Sequence, residues 1–190
     1  LLVVRDADHL SELAGHRAAR VWLSITTLDA HLARKMEPRT SPPAARLQAI
    51  RDLASAGIPT GVIIAPVIPG VNDCEIPTIL QAARDAGARA AGYIVLRLPT
   101  TVRPVFFDWL ERCIPEQAHK VATRIRALRD GKLNDSQFGR RQRGTGQLAE
   151  QIGRTFTVFA QRYGFDEQPA PLNSDAFRRP TRPGQQRTLF

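Results

Sequence analysis

The fold is decided by the stretch Gly61-Val62-Ile63-Ile64-Ala65-Pro66-Val67-Ile68-Pro69-Gly70-Val71-Asn72-Asp73. Its apolar, β-branched run from Val62 to Ile68 predicts a parallel strand buried on both faces, because helices cover both sides of such sheets. Pro69-Gly70 then ends the strand in a turn, and Asn72 or Asp73 is placed to cap the next helix. Ligands of parallel α/β proteins bind at this end of a strand, although an ordinary strand-to-helix turn has the same pattern.

Short apolar strands alternate with amphipathic helices on both sides of this stretch. Strands are predicted at Ala18–Ile25 and Ala90–Leu98, and Leu1–Val4 is interpreted as the end of a further strand. Helices with apolar residues at helical spacing are predicted between them, at Asp6–Ala14, Ala30–Lys35, Ser41–Ala56 and Glu75–Asp85. This alternation indicates right-handed βαβ units and a parallel sheet. Three strands and a strand end cannot close a barrel, so we expect the chain to be a piece of a longer protein.

The chain changes character after Pro99. Residues 100–165 predict a helical extension, with helices near 105–112, 116–129 and 147–163 whose aromatic residues are expected to be core. A basic, glycine-punctuated loop spans 132–146. Residues 166–190 are rich in proline and polar groups and predict a disordered tail.

Composition limits the possible classes of function. The net charge of +9 and the pI of about 10.9 are suited to phosphate contacts with nucleic acid. Nearly all of this charge is arginine, however, and a GC-rich genome would produce the same bias. The chain has no apolar run of the roughly 20 residues that a membrane helix needs, so we expect a soluble, cytoplasmic protein. Cys74 and Cys113 lack metal-ligand spacing and are expected to be free thiols.

Polar side chains at predicted strand ends are the candidate site residues. Ser24, Thr26 and Thr27 follow the first strand. Glu37 precedes a proline, which limits the directions that the Glu37 side chain can take. This suits a carboxylate that accepts from sugar hydroxyls. It also suits a surface ion pair with Arg39, which spacing alone favours. An arginine at the end of the third strand, Arg97, suits a carboxylate or phosphate, but could also reach solvent.

Taken together, these motifs resemble the radical S-adenosylmethionine enzymes of the spore photoproduct lyase-like, "DNA repair photolyase" group. The resemblance covers roughly residues 1–165 and depends on the order and spacing of five motifs. These are Ser24–Asp29, Glu37-Pro38, Ala65–Asp73, Leu96–Pro99 and the loop Phe138–Gly146.

The resemblance implies that residues 1–99 are the C-terminal part of a partial (β/α)6 TIM-type barrel. Such enzymes bind a [4Fe-4S] cluster and S-adenosylmethionine, take an electron from a donor, and cleave the cofactor reductively to a 5′-deoxyadenosyl radical. Their Cys-x3-Cys-x2-Cys loop is missing here, and neither Cys74 nor Cys113 replaces it. We expect that loop upstream of Leu1 and no radical activity from this segment alone; a degenerate relative is the alternative.

The resemblance also implies roles for individual residues. Arg97 would reach the cofactor carboxylate or the substrate. The residues expected to meet the ribose, methionine and adenine of S-adenosylmethionine are Ser24, Thr26, Glu37, Ile68 and Asn72.

Two further segments point to DNA. Arg140, Arg141 and Arg143 are expected to bind a nucleic-acid backbone or an anionic cofactor. The terminal Gln186, Leu189 and Phe190 resemble the peptide with which bacterial proteins dock on the DNA polymerase sliding clamp. A non-catalytic, clamp-tethered accessory module is therefore an alternative function, and a phosphate-binding (β/α)8 metabolic enzyme is a third.

Overall fold

The computed structural model describes residues 1–129, 131–133, 141–165, 169–175 and 177–178. Its centre is a sheet of three parallel strands in the order β1-β2-β3, comprising β1 (Val21–Ser24), β2 (Thr60–Val67) and β3 (Ala90–Val95). The register aligns Leu23 with Val62 and Ile64 with Tyr93. Because every strand runs the same way, all three carboxyl ends meet at one edge, called here the carboxyl edge. The predicted parallel α/β arrangement is confirmed, whereas three strands do not form a closed barrel.

The described part of the chain contains eight α-helices. They are α1 (Leu2–Arg5), α2 (Ala7–Gly15), α3 (Ala30–Met36), α4 (Pro43–Ser55), α5 (Ile76–Asp85), α6 (Arg103–Cys113), α7 (Ala118–Ala127) and α8 (Gly146–Arg162). Short 3₁₀ turns precede α5 and α7, at Asp73–Glu75 and Pro115–Gln117. None of the helices within the described ranges is long and apolar enough to cross a membrane.

The two faces of the sheet differ, which corrects the prediction that β2 is buried on both. One face carries Val62 and Ile64, both fully buried against α4 and α5. The opposite face carries Ile63, which is partly exposed, and Trp22, which is 37% exposed. Described helices therefore cover one side of the sheet, and we call the other side the open face.

The first residues are not a strand end. Leu2–Arg5 is the short helix α1, and its Val3 and Val4 pack on the main core beside α4. A run of four apolar residues carries no periodicity that separates strand from helix. The prediction of a strand there is wrong.

A second, smaller core lies beyond the carboxyl edge. Strand β3 ends at Val95 rather than at the predicted Leu98, and the following residues leave the sheet to join α6 and α7. The buried members of this cluster are Ile68, Leu96, Leu98, Leu110, Val121 and Ile125. The extension is thus packed against the strand ends, where it can shape a site.

The outer edge of β3 is partly closed by the segment before α8. The Val95 N–H donates to the Gln142 carbonyl at 2.9 Å. Arg129, which is 3% exposed, donates from one nitrogen to the carbonyls of Leu96 at 2.8 Å and Arg141 at 3.1 Å. A buried guanidinium therefore holds Arg141 and Gln142 beside the sheet, where they protect an otherwise open strand edge.

Helices α3 and α4 begin in different ways. Asp29 caps α3, since its carboxylate accepts from the N–H groups of His31 at 2.7 Å and Leu32 at 3.3 Å. Ser41 does not cap α4, because Pro42 occupies the N-cap position and no side-chain bond forms there. Proline in the first turn lacks the N–H that a cap would accept.

Part of the tail lies along the amino ends of the strands. The Asn173 N–H donates to the Arg17 carbonyl at 2.9 Å, and the Arg20 guanidinium donates to the Ala170 carbonyl. We call residues 169–175 the strap. It has neither helix nor strand, yet these hydrogen bonds fix its path.

Two glycines that follow helices provide a matched test of packing. Gly57 (φ 76°) follows α4 with open space where a Cβ would lie, whereas a Cβ on Gly87 (φ 99°) would lie 2.8 Å from the Ala54 Cβ. We expect Gly57→Ala to lower the free energy of unfolding by about 1 kcal/mol through backbone strain alone. Gly87→Ala should lower it by about 1 kcal/mol more through overpacking. Urea unfolding of both variants measures the difference, and equal losses would contradict the close packing of α4 against α5.

Candidate ligand site at the carboxyl edge

The carboxyl ends of β1 and β2 are joined by one buried amide. Asn72 is 0% exposed, and its Oδ1 accepts from the Ile68 N–H at 2.6 Å. Its Nδ2 donates to the carbonyls of Thr26 at 2.7 Å and Pro66 at 2.9 Å. The predicted cap at Asn72 or Asp73 is therefore wrong. The Asn72 side chain forms hydrogen bonds with backbone groups at the strand ends, which precede it in the chain. Asp73 accepts from the Gly70 N–H at 2.7 Å within the turn.

A second link ties the start of α5 to the loop after β1. The Glu75 carboxylate accepts from the Thr27 hydroxyl at 2.6 Å and from the Leu28 N–H at 2.7 Å. Thr27, which is 1% exposed, also accepts from the Asp29 N–H at 3.0 Å. The loops after β1 and β2 therefore form one hydrogen-bonded unit.

Arg46 connects the Glu37 loop to the end of β1. Its guanidinium donates to Glu37 Oε2 at 2.7 Å, to the Ser24 carbonyl at 2.8 Å and to the Ser41 carbonyl at 2.9 Å. Its side chain is 11% exposed, against 27% for Glu37. Charge-assisted bonds of this kind are shorter and stronger than neutral ones, so the direction of the Glu37 carboxylate is fixed.

This pair corrects the expected ion pair between Glu37 and Arg39. Spacing in the sequence favours Arg39 as the partner of Glu37. In the structure Arg46, from the first turn of α4, forms the ion pair with Glu37 instead. The first turn of a helix favours acidic residues, and α4 has none there. Arg46 pairs instead with Glu37, nine residues earlier in the chain, and no local sequence pattern indicates that pair.

The end of α3, the ends of β2 and β3, and α6 line a hollow of about 310 Å³. One side is formed by Glu37 after α3, Ile68 after β2 and Leu96 after β3. The other side is apolar and belongs to α6 and the residue before it. The complete lining is Met36, Glu37, Pro66, Ile68, Leu96, Val102, Val105, Phe106 and Trp109. An apolar hollow with one oriented carboxylate is typical of a small-molecule site.

Two aromatic residues of α6 line this hollow and also pack against the second core. Phe106 and Trp109 lie 5.6 Å apart between ring centroids and are only partly buried. The Trp109 indole N–H donates to the Lys35 carbonyl at 2.9 Å, which fixes the ring beside α3. The sequence predicts them as core, because helical spacing alone does not separate a core face from a wall of a pocket.

Arg97 also lies at the carboxyl edge, directly after Leu96, but it does not line the hollow. Its Nε is buried and has no hydrogen-bond partner among the described residues. Buried polar atoms in proteins are nearly always paired. The Nε of Arg97 is therefore a buried donor that the described residues at this edge leave unpaired.

The structure divides the predicted cofactor residues into two sets. Glu37 and Ile68 line the hollow. Thr26 and Asn72 are 3% and 0% exposed and bond to backbone around it, with the Thr26 hydroxyl donating to the Ala65 carbonyl at 3.1 Å. Ser24 Oγ lies 3.2 Å from Arg46. Sequence reasoning missed Arg46 and Glu75, whose partners are distant in the chain.

The predicted DNA-binding residues are only partly visible. Arg143 stacks its guanidinium 4.1 Å from the centroid of the Tyr93 ring, and Arg141 accepts through its carbonyl from Arg129. Arg140 lies outside the described residues. So do Gln186, Leu189 and Phe190, and their roles stay predictions.

The residues present do not fit an iron–sulfur cluster. Cys74 is exposed and Cys113 is partly buried, and both are free thiols, as predicted. Within the described ranges, no group of three or more His, Cys, Asp or Glu side chains could hold a metal ion. Cluster ligands would have to come from outside this chain.

The geometry defines a class of protein, the parallel α/β proteins with a hollow at the carboxyl edge of the sheet. Residues 2–83 match the family model of the radical SAM superfamily. The match ends within α5, so it includes β1, β2, Glu37, Arg46 and Asn72.

Curated relatives extend the similarity over the whole chain. Uncharacterized proteins of Mycobacterium tuberculosis and Mycobacterium bovis are each 29% identical over 192 residues, covering 100% of this chain and 52% of the relative. An uncharacterized protein of Acidianus two-tailed virus is 42% identical over 69 residues, covering 36% of this chain and 22% of its own length. The chain thus spans about half the length of the mycobacterial relatives. No solved structure matches.

Asn72 and Asp73 allow a test with opposite substitutions at neighbouring positions. Asn72→Asp should lower the free energy of unfolding by at least about 3 kcal/mol, because a buried carboxylate would face two carbonyls and donate to neither. Asp73→Asn keeps an oxygen for the Gly70 N–H and should cost less than about 1 kcal/mol. Urea unfolding followed by circular dichroism measures both. A similar small loss for both variants would show that Asn72 does not hold the strand ends.

Arg46 and Arg51 belong to the same helix and provide a second comparison. Arg46→Met should lower the free energy of unfolding by about 2 to 3 kcal/mol, because the half-buried Glu37 carboxylate and two carbonyls lose their donor. Arg51 is exposed and bonds to Gln48, so Arg51→Met should change the value by less than about 0.5 kcal/mol. If thermal and urea unfolding give both variants the same free energy of unfolding within error, the contacts of Arg46 do not stabilise the fold.

Proposed function

We propose that this chain belongs to a radical S-adenosylmethionine enzyme and forms part of its cofactor site. The observation that carries the proposal is the hollow at the carboxyl edge. Its carboxylate, Glu37, and its apolar wall, Ile68, fall within residues 2–83, which match the radical SAM superfamily. Superfamily members use S-adenosylmethionine and a [4Fe-4S] cluster, so the hollow is the part of this chain suited to the nucleoside.

Two chemical features of the hollow suit an adenosyl group. Glu37 Oε2 is engaged by Arg46, while Oε1 has no partner among the described residues and can accept from ribose hydroxyls. Ile68 and Leu96 offer aliphatic contact to the face of an adenine, opposite the ring of Phe106. When bound and reduced, S-adenosylmethionine supplies the hydrogen-abstracting oxidant of the superfamily. The chain's own contribution is to orient the nucleoside and to exclude water from it.

The remaining predicted residues act around this hollow in the proposal. Arg97 Nε is buried and has no hydrogen-bond partner among the described residues. In the proposal it would donate to the cofactor carboxylate or to substrate. Thr26 and Asn72 would act by holding the strand ends in place, since their side chains bond to backbone carbonyls. Ser24 would support Glu37 through Arg46.

The rest of the protein would provide what this chain lacks. We propose that a Cys-x3-Cys-x2-Cys loop and its cluster lie in a region that corresponds to the other half of the mycobacterial relatives. The same region would supply strands beside β1 to extend the sheet to a partial (β/α)6 barrel. The open face, with Trp22 and Ile63, would then be the barrel interior.

A DNA substrate and the spore photoproduct lyase-like group are finer parts of the proposal. They are supported by the net charge of +9 and by the sequence resemblance. A non-catalytic accessory module remains the alternative, and it would lack the cysteine loop. The enzyme and the accessory module are distinguished by measuring iron and sulfide in the full-length protein purified without oxygen. The enzyme should contain both, and the accessory module neither.

The proposed cofactor site is tested by S-adenosylmethionine binding to the full-length protein. Glu37→Gln should weaken binding about tenfold, because an amide accepts more weakly than a carboxylate and also loses its ion pair with Arg46. The control is Glu111→Gln, an exposed carboxylate on α6 that does not line the hollow, and it should leave the dissociation constant unchanged. Equilibrium dialysis measures the constants, and circular dichroism verifies folding. Unchanged affinity in a folded Glu37→Gln protein would remove Glu37 from the site.

A further inference from the structure

A second cavity lies at the opposite edge of the sheet, where the strands begin. Its volume is about 350 Å³, and it is walled by the first residues of β2 and β3 and by the strap. Three arginines line it: Arg17 after α2, Arg20 before β1 and Arg89 before β3. They come from two separate segments of the chain, the loop between α2 and β1 and the turn before β3, so helical spacing does not account for their meeting.

Backbone hydrogen bonds fix these segments around the cavity. The Arg89 N–H donates to the Thr60 carbonyl at 2.9 Å, and the Arg17 carbonyl accepts from the Asn173 N–H at 2.9 Å. Arg17 has a left-handed backbone (φ 57°), which is uncommon for a residue with a side chain. Arg20 is partly buried and donates to the Ala170 carbonyl of the strap. The cavity is therefore formed by fixed segments.

The positive charge in this cavity is not neutralised within the described part of the chain. None of the lining residues is acidic. The ion pairs recorded between described residues are Arg5–Asp6, Arg46–Glu37, Arg112–Asp108 and Arg154–Glu150, and none includes Arg17, Arg20 or Arg89. Like charges gathered in a partly enclosed space repel one another, and a bound anion would relieve that repulsion.

We propose that this cavity is an anion site that binds a phosphate group. Guanidinium groups match phosphate oxygens with paired N–H bonds, and a phosphate carries more charge than a carboxylate to balance three cations. The phosphate can belong to a small phosphorylated compound or to a nucleic-acid backbone. The site lies at the other edge of the sheet from the hollow with Glu37, so it does not depend on the proposed function.

The test is isothermal titration of the full-length protein with inorganic phosphate and, separately, with a single-stranded oligodeoxynucleotide. Arg17→Gln and Arg89→Gln are suitable variants because both side chains are exposed and their loss should leave the fold intact. The matched control is Arg126→Gln, an exposed arginine of α7 outside the cavity. We expect each cavity variant to weaken phosphate binding about fivefold or more and the control to leave it unchanged.

The two ligands separate the sources of the phosphate. Weakening of both titrations by the cavity variants assigns a nucleic-acid backbone to the site, and weakening of the phosphate titration alone assigns a small phosphorylated compound. Phosphate that fails to bind at about 10 mM would overturn the proposal. So would equal weakening by Arg126→Gln, or by Arg143→Gln in the basic loop. S-adenosylmethionine affinity should be unchanged in Arg89→Gln, which keeps this outcome distinct from the test of Glu37.

Discussion

The carboxyl edge depends on the buried side-chain amide of Asn72. Peptide groups at strand ends have left the ladder and still need hydrogen-bond partners when buried. Asn72 satisfies three of them from one position, with its oxygen on Ile68 and its nitrogen on Thr26 and Pro66. An amide is suited to this role because it both donates and accepts without charge. The relative position of β1 and β2 at the ligand edge, and hence the shape of the hollow, follows from it.

The hollow is lined by two different parts of the chain. Glu37 and Ile68, the groups suited to a nucleoside, fall within the residues that match the superfamily. Val102, Phe106 and Trp109 come from α6 and its start, beyond residue 83. One wall of the hollow thus lies within the matched residues and the other lies beyond them. In the proposed function, the first wall would hold the nucleoside and the second would face the compound that is bound.

The sequence predicts the sheet well and the site only in part. Parallel strands and their helices follow from local periodicity, and the ligand edge follows from the direction of the strands. Ile68 could be predicted because it ends a predicted strand, and Glu37 because Pro38 follows it and Glu37-Pro38 is one of the motifs of the family resemblance. Arg46 and Glu75 were not, because their partners lie 9 and 48 residues away and no local pattern records such pairs. The helix α1 was missed because four apolar residues have no period.

The two outer edges of the sheet are unequal. At β3, the Gln142 carbonyl already occupies the Val95 N–H, and Arg129 anchors the chain that provides it. At β1, no strand lies beside Trp22 in the described part of the chain, and β2 is on its other side. The sheet can therefore grow by further strands in one direction, away from the closed edge. A strand added to this sheet would thus pair beside Val21–Ser24 rather than beside Ala90–Val95.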